Sequence, residues 1–493
     1  MSDKTNNTIQ AFWVGMGSLS SFALAIVSAA ILSRYFDKAE YGTYRQILYV
    51  YNTLLVVFTA GLPRVFAYFL PRYPLEQGKH IVWKVSKMLF FFGMVFSVVL
   101  FTFSGLIAQV LKNPELATGL KYFSPIPMLL LPTLGIEGIF STYKKTIYIA
   151  IYNSLTRILM LLFIVLPVIL LKGTYLYAIY GWIAVSIISL IIAWYFKGIP
   201  FKNVNVKKAT LSFKVIFSYS LPLVLASLAG TLMSSADQFY ISRFYGPNVF
   251  AEFANGFIEM PFVSMITGAT AVVLMPVFSK AFHKNNGIDE VMITWRNALS
   301  KSAIIIYPII IYFMVFASEI VVLLYSDTYE SSTKYFQIKM LLNFFNIIIF
   351  SPLFFSMGKT KMYFLIHFVF SIMIWITHYL IVLFFDNPFL IAINSTFLHI
   401  LLIITFIYFA SYILKIRFVE FFPLKTFGKL ILHTLLCIIV IKLIQMNVLI
   451  TYSNLVQLVL TSIFYGVLLL MTSIFFKLNY LSVIRPLLFS KII

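Results

Sequence analysis

The chain has 493 residues, of which 61% are hydrophobic and only 11% are charged, and its mean hydropathy is +0.95. A soluble surface needs far more polar side chains, so this composition excludes an ordinary soluble protein and indicates an integral membrane protein. The net charge of +21 does not require a nucleic-acid partner, because lysines and arginines beside a membrane face anionic lipid head groups. The single cysteine, Cys437, excludes an intramolecular disulfide bond.

Apolar runs of about 20 residues follow one another along the chain, and each can cross a hydrocarbon core of about 30 Å as a helix. They are predicted within residues 9–32, 47–69, 88–111, 122–141, 146–171, 175–196, 215–241, 250–278, 302–325, 335–357, 362–385, 389–414, 430–450 and 455–476. The first run is too long for a cleavable signal peptide, and a hairpin follows it instead of a cleavage site with small residues. The sequence therefore predicts an all-α integral membrane protein with about 14 transmembrane helices.

Positive charge is distributed unevenly between the two sides of the predicted membrane. With the N-terminus inside, 26 of the 37 lysine and arginine residues fall on inner segments, 9 on outer loops and 2 within helices. Cytoplasmic loops of membrane proteins carry such an excess of positive residues. The pattern predicts a multi-pass protein of the cytoplasmic membrane with both termini in the cytoplasm.

The chain repeats itself once, in the same direction, with an offset of 209 to 214 residues. Residues 33–36 (SRYF) match residues 242–245 (SRFY), and residues 121–123 match residues 334–336, both of which read KYF. Two further matches lie in order between these. Many transporters are built from such parallel repeats and place a central site between two lobes.

The repeat predicts four parts of the chain. Residues 1–196 form an N-terminal six-helix lobe, 197–214 a basic cytoplasmic linker, 215–414 a C-terminal six-helix lobe, and 415–493 helices 13 and 14 with a cytoplasmic tail. The longest polar connections have roughly twenty residues, too few for a catalytic domain, and the sequence contains no nucleotide-binding loop, HExxH motif or Ser/His/Asp grouping. A transporter is therefore favoured over an enzyme.

Three segments carry a resemblance to a known group of transporters. They are residues 33–44, residues 237–246 (DQFYISRFYG) and the end of helix 8 at residues 276–280. Over its whole length the chain resembles the polysaccharide-transporter branch of the multidrug/oligosaccharidyl-lipid/polysaccharide exporter superfamily. The resemblance implies two six-helix lobes in a V-shaped arrangement, which move lipid-linked oligosaccharide repeat units from the cytoplasmic to the outer leaflet.

Arginines within the predicted spans and near their ends are candidates for binding the charged head group of such a substrate. Arg45, Tyr49 and Asn52 lie at i, i+4 and i+7, on one face of helix 2. A guanidinium group donates two parallel hydrogen bonds to a phosphate and never loses its charge. The predicted substrate-binding residues are Arg34, Arg45, Tyr49, Asn52, Arg64 and Arg243. Arg34 and Arg243 are equivalent in the repeat, and the alternative role for arginines near helix ends is anchoring at the membrane interface.

Acidic residues in helices 7 and 8 are a second set of candidates. Glu252, Asn255 and Glu259 are predicted at i, i+3 and i+7 on one face of helix 8, and Asp237 lies on helix 7. Charged side chains inside a membrane usually face a cavity or a partner. These acids therefore either couple transport to Na+ or H+, or neutralise nearby arginines, and the membrane potential is the other possible source of energy.

Two further groups of residues are interpreted from their positions. Glu137 and Arg157 lie on consecutive helices and are predicted to form a structural ion pair. The tyrosines around the first hairpin can stack on sugar rings, although aromatic belts at membrane interfaces also explain them. These tyrosines are Tyr41, Tyr44, Tyr49 and Tyr51.

The leading prediction is a flippase for polyprenyl-linked oligosaccharides in surface polysaccharide biosynthesis, of O-antigen or capsule. A lipid II flippase and a drug/cation antiporter of the same superfamily are the alternatives. A cation exporter would place carboxylates in the first lobe, but the helix from Ile9 to Leu32 has none. The expected partners are the lipid-linked substrate, membrane lipids, a polysaccharide polymerase and chain-length machinery, with no cofactor, metal or nucleic acid.

Overall fold

The computed structural model describes residues 2–282 and 287–480, and these residues form helices and no strand. Most of the predicted cytoplasmic tail, residues 481–493, lies outside the described residues. The helices are α1 (Ser2–Tyr35), α2 (Lys38–Phe58), α3 (Leu62–Phe69), α4 (Leu75–Val110), α5 (Glu115–Phe123), α6 (Ile126–Leu130), α7 (Ile136–Thr142), α8 (Ile147–Leu171), α9 (Tyr175–Gly198), α10 (Phe213–Gly256), α11 (Pro261–Ala281), α12 (Gly287–Val315), α13 (Ala317–Tyr325), α14 (Ser332–Asn346), α15 (Phe350–Ser356), α16 (Thr360–Phe384), α17 (Pro388–Leu414), α18 (Leu424–Ile444) and α19 (Asn454–Thr472). Short 3-10 turns occupy Leu70–Arg72, Leu131–Thr133, Ile199–Phe201, Asp327–Tyr329 and Phe418–Phe421, and a π-helical turn occupies Gln445–Leu449.

The lengths and hydropathy of the helices confirm the predicted membrane architecture. In the described ranges, 12 helical segments are long and apolar enough to cross a membrane. Two bent pairs, Lys38–Phe58 with Leu62–Arg72 and Phe213–Leu225 with Gly230–Gly256, raise the number to 14 when each pair counts as one span. The first bend of 46° follows from Gly61, whose φ of +66° ends one helix, and from Pro63, which begins the next.

The predicted start of helix 8 is wrong. Residues 250–256 belong to the end of α10, the connection covers residues 257–260, and α11 begins at Pro261. A proline has no N–H to continue a helix, and it forces the preceding residue out of the helical region. Met260 is accordingly extended, with φ of −88° and ψ of 111°. Glu259 therefore lies in a connection and does not share a helix face with Glu252 and Asn255.

Contacts between Cα atoms divide the chain into two units. The first contains residues up to 254 together with residues 382–388. In it, α1 packs along α8, α8 packs along α9, and α4 packs against α5 and α6. The lobe boundaries at 197–214 remain a prediction from the sequence repeat, and α10 as far as residue 254 belongs to the first unit.

The second unit contains residues 255–381 and those from 389 onwards. In it, α12 packs against α14 and α18, α11 packs against α15, and α18 packs against α19. Trp295 is buried and donates to the carbonyl oxygen of Phe421 at 3.0 Å. Glu319 accepts hydrogen bonds from Lys442 at 2.6 Å and from Gln445 at 2.9 Å. The first of the two additional C-terminal helices, α18, is thus held by polar contacts as well as by apolar packing.

Candidate functional site

A cavity of about 940 Å³ lies within the first unit. Its walls come from α1, α2, α3, α7, α8, α9 and α10, together with the chain around residues 130–135. The charged side chains that line it are Arg45, Arg64, Arg157 and Glu137. Three positive groups and one negative group leave the lining with a net positive charge. A cavity of this size and charge is suited to an organic anion.

Arg45, Tyr49 and Asn52, which the sequence spacing places on one face of α2, all line the cavity. Arg45 donates to the hydroxyl oxygen of Tyr41 and to the carbonyl oxygen of Ala254, each at 2.9 Å. Tyr49 is buried, and its ring lies 6.0 Å from that of Phe250. Asn52 is exposed on the same cavity. The structure brings all three residues to one wall, and their contact with a substrate stays a prediction.

Arg64 is placed by the bend between α2 and α3. The chain bends by 46° at Gly61, which has a positive φ, and Arg64 follows in the first turn of the new helix. The side chain is exposed and lines the cavity. Within residues 2–282 and 287–480, Arg64 makes no side-chain hydrogen bond or ion pair with the protein. Its guanidinium group is therefore available to an anion in the cavity.

The predicted ion pair between Glu137 and Arg157 is wrong, because no ion pair or hydrogen bond joins the two side chains in the described residues, although both line the cavity. Glu137 accepts a hydrogen bond from the Asn153 amide at 3.3 Å. Arg157 is only partly exposed, and its polar contact is with the sulfur of Met160 at 3.6 Å. In the part of the chain that the structure describes, no carboxylate lies within 4.0 Å of the Arg157 guanidinium. The sequence could have identified Arg157 as a cavity residue, because it lies deep inside an apolar helix, too far from either end to reach the membrane interface.

Aromatic side chains form much of the remaining wall. Trp182 donates from its indole nitrogen to the hydroxyl oxygen of Tyr44 at 2.9 Å, which orients both rings. The aromatic lining residues are Tyr41, Tyr44, Tyr49, Tyr51, Tyr152, Trp182 and Phe250. All four tyrosines of the first hairpin thus lie on the cavity. Tyr152, Trp182, Asn153 and Gln238 also line it, and the sequence pattern did not single them out.

The repeat-equivalent arginines lie elsewhere in the first unit. Arg34 is exposed in the last turn of α1. Arg243 donates a hydrogen bond to the carbonyl oxygen of Val110, and its guanidinium carbon lies 5.5 Å from the centre of the Phe244 ring. Neither residue lines the cavity described above. Their contact with a substrate head group stays a prediction from the repeat.

Two of the three candidate acids are bound to lysines. Glu252 forms an ion pair with Lys38, and Glu259 lies 3.6 Å from the Lys339 ammonium. Asp237 is buried. The expected pairing of Glu252 with Arg243 or Arg45 is not formed among the described residues, where Lys38 takes that place. No group of three or more His, Cys, Asp or Glu side chains in the described ranges could hold a metal ion.

A known protein family matches this chain. The sequence profile of the family described as polysaccharide biosynthesis protein matches residues 9–282, which is more than half of the chain. Comparison with curated proteins gives no match.

Solved structures match over most of the chain. The lipid II flippase MurJ in an inward closed conformation has a TM-score of 0.69 at 16% identity, covering 94% of this chain and 98% of MurJ. A multidrug resistance MATE family transporter of the MOP superfamily, inward-facing, has a TM-score of 0.66 at 12% identity, with coverages of 80% and 94%. A MOP superfamily transporter from Pyrococcus furiosus has a TM-score of 0.58 at 11% identity, with coverages of 82% and 94%. At these identities the likeness shows the fold, which is that of transporters and flippases.

Proposed function

Because the chain belongs to the polysaccharide biosynthesis protein family, we propose that it is a flippase for polyprenyl-(pyro)phosphate-linked oligosaccharide repeat units. It would move them by alternating access from the inner to the outer leaflet of the bacterial cytoplasmic membrane, for a surface polysaccharide such as O-antigen or capsule. The observation that carries the proposal is the cavity of the first unit, with three arginines and one glutamate in its lining. Both termini are proposed to be cytoplasmic, from the distribution of lysine and arginine.

The chemistry of the cavity suits both parts of such a head group, the pyrophosphate and the sugar rings. A pyrophosphate that leaves water needs replacement for its hydration, and guanidinium groups supply paired, charge-assisted hydrogen bonds. Within the described residues, Arg64 makes no side-chain hydrogen bond and Arg157 makes one weak contact with a sulfur atom, so both can turn toward a phosphate. Arg45, in contrast, is held by Tyr41 and Ala254. The tyrosine and tryptophan rings offer flat apolar faces on which sugar rings can lie.

The alternatives make different demands on the same cavity. A drug/cation antiporter needs negative charge where the drug binds, and a lining with net positive charge repels cations. Lipid II is itself a polyprenyl-pyrophosphate glycolipid, so a lipid II flippase shares the requirement for arginines. We propose a polysaccharide polymerase and chain-length machinery as partners only because the substrate is proposed to be an oligosaccharide repeat unit. A different substrate would remove the reason for proposing them.

Transport by the purified protein in proteoliposomes tests this function. We expect flipping of a polyprenyl-pyrophosphate oligosaccharide, and at least a tenfold loss when Arg64 and Arg157 are both replaced by alanine, because charge-assisted hydrogen bonds contribute about 1.5–3 kcal/mol each. The same lipid without its phosphate groups is the negative control. Faster flipping of lipid II would favour the lipid II assignment. Transport of a lipophilic cation, with no flipping of either glycolipid, would overturn the proposal.

A further inference from the structure

A second pocket of about 230 Å³ lies in the first unit between α4 and α9. Its walls are almost entirely apolar, and it shares no lining residue with the larger cavity. The lining residues are Val82, Trp83, Ser86, Lys87 and Phe90 on α4, Leu190, Trp194, Lys197 and Gly198 on α9, and Pro132. The proposed transport function assigns no role to this pocket.

The chain beside the pocket indicates that the pocket lies at the edge of the membrane. Lys79 donates to the carbonyl oxygen of Val204 at 2.9 Å, and Lys84 donates to that of Leu211 at 2.6 Å. The polar segment 202–212 therefore runs across the first turns of α4, which places those turns at the aqueous surface. Trp83 and Trp194 are both exposed, with ring centres 5.3 Å apart. Tryptophan is enriched at this depth, where lipid head groups meet acyl chains.

The surroundings of the pocket carry an excess of positive charge. Residues 79–87 contain three lysines and residues 197–214 contain five, and neither stretch contains an aspartate or glutamate. Lys87 is exposed at the pocket. Lys197 is buried and donates to Ser86 Oγ and to the carbonyl oxygens of Pro132 and Leu134, at 3.1, 2.7 and 2.8 Å. Across the described ranges no carboxylate lies within 4.0 Å of its ammonium, and its three hydrogen-bond donors are taken by these protein acceptors, which leaves Lys87 as the pocket lysine open to an anion.

We propose that this pocket binds one anionic phospholipid, with its phosphate at Lys87 and the upper part of one acyl chain in the apolar pocket beside Trp83 and Trp194. An apolar pocket at the membrane edge suits an acyl chain, and the surrounding lysines select a negative head group. A soluble anion would leave the apolar walls uncovered. The lipid site does not involve the transported substrate. A negative result for lipid binding would therefore leave the proposed flippase function intact, and a negative result for transport would leave the lipid site intact.

Quenching of tryptophan fluorescence by brominated lipids tests the site in the full-length protein. The protein is reconstituted into phosphatidylcholine vesicles that contain a minor fraction of brominated phosphatidylglycerol or, in parallel, of brominated phosphatidylcholine. The difference between the wild type and the Trp83→Phe/Trp194→Phe variant isolates the two reporter side chains. We expect phosphatidylglycerol to quench this difference signal more strongly than phosphatidylcholine at the same mole fraction.

Two variants separate the charge from the shape of the pocket. Lys87→Ala should reduce the preference for phosphatidylglycerol roughly fivefold, since one basic residue near the surface contributes about that factor. Gly198→Leu should fill the pocket, because a Cβ atom at this lining position meets nothing within 4 Å, and it should lower quenching by both lipids. Lys361→Ala, at an exposed lysine in the first turn of α16, is the matched control and should change nothing. Equal quenching by the two lipids in the wild type, or a preference that survives both pocket variants, would overturn the proposal.

Discussion

At the scale of single residues, the cavity arginines differ in how firmly the protein holds them. Arg45 has two hydrogen bonds at 2.9 Å and is fixed in the wall. Among the residues that the structure describes, the Arg157 side chain has one polar contact, with a sulfur atom at 3.6 Å, although it lies in the middle of α8. A charge in an apolar environment costs several kcal/mol unless a partner or water offsets the loss of hydration. Arg157 is therefore the residue that gains most from an anionic ligand.

Replacing Arg157 should weaken transport without weakening the fold. Arg157→Met is expected to lower the rate of glycolipid flipping roughly tenfold or more, because the charge-assisted contact with the head group is lost. Arg157→Lys should retain part of the activity, since an ammonium keeps the charge but loses the two-pronged geometry. The melting temperature should stay the same or rise, because no ion pair of the protein is broken.

Arg34 and Arg243 provide the comparison for this experiment, because the repeat predicts that they bind the head group although they lie outside the cavity. If the cavity arginines alone bind the substrate, Arg243→Ala leaves flipping intact while Arg157→Met does not. Equal losses in both variants would support the prediction from the repeat. Full transport by Arg157→Met, at normal membrane abundance, would contradict the role assigned to Arg157.

At the scale of elements, α2 and α10 approach each other unusually closely inside the first unit. A Cβ atom on Gly42 would lie 2.0 Å from the carbonyl oxygen of Pro247, and Gln46 donates to Ser242 Oγ at 2.8 Å. Gly246, with φ of +77°, makes the kink that brings Pro247 to this position. These contacts join the first repeat to the second on the predicted outer side. Rocking of residues 1–196 against 215–414 would have to break them.

Enlarging Gly42 should therefore favour the open arrangement of these helices. Spin labels at exposed positions 35 and 244, in a Cys437→Ser background, should show two distance populations in the wild type, measured by double electron–electron resonance. Gly42→Ala should increase the longer-distance population, because its methyl group has no space beside Pro247. Gly105→Ala, where nothing lies within 4 Å of the new atom, is the matched control and should leave the populations unchanged. A single distance in every sample, with or without substrate, would contradict rocking.

At the scale of the whole molecule, the question is what drives transport. Glu252 and Glu259 already have lysine partners, which leaves less reason for a cation to bind them. The membrane potential is an alternative source of energy, because it acts on the substrate itself. An inside-negative potential drives each negative charge outward with about 2.3 kcal/mol per 100 mV. A pyrophosphate lipid with about two charges would gain about twice that amount.

We therefore expect flipping in proteoliposomes under an imposed potential without a sodium or proton gradient. The rate should rise with the potential and should be unchanged by Glu259→Gln, which removes the exposed member of an ion pair. Asp237→Asn is the stricter test of ion coupling, because Asp237 is buried and is therefore shielded from bulk water. If flipping requires a sodium or proton gradient and is abolished by Asp237→Asn, transport is coupled to an ion at that residue.

The sequence by itself determined the class of the protein and the number of its spans. A membrane span must satisfy its backbone hydrogen bonds within its own helix, so hydropathy over about 20 residues identifies it without knowledge of its neighbours. Helical periodicity likewise sufficed to group Arg45, Tyr49 and Asn52, because their common face depends only on the 3.6-residue turn. Each of these properties is local along the chain.

Only the tertiary structure decided which charged groups meet. The predicted pairing of Glu137 with Arg157 failed, and Glu252 is bound by Lys38, which is 214 residues away in the sequence. The local break at Pro261 also removed the helix face assigned to Glu252 and Glu259. Ion pairs between residues so far apart in the sequence depend on how bent helices pack. Small residues such as Gly42 and Gly61 allow neighbouring helices to come close, with their backbones in contact. A hydropathy profile contains no information about these contacts.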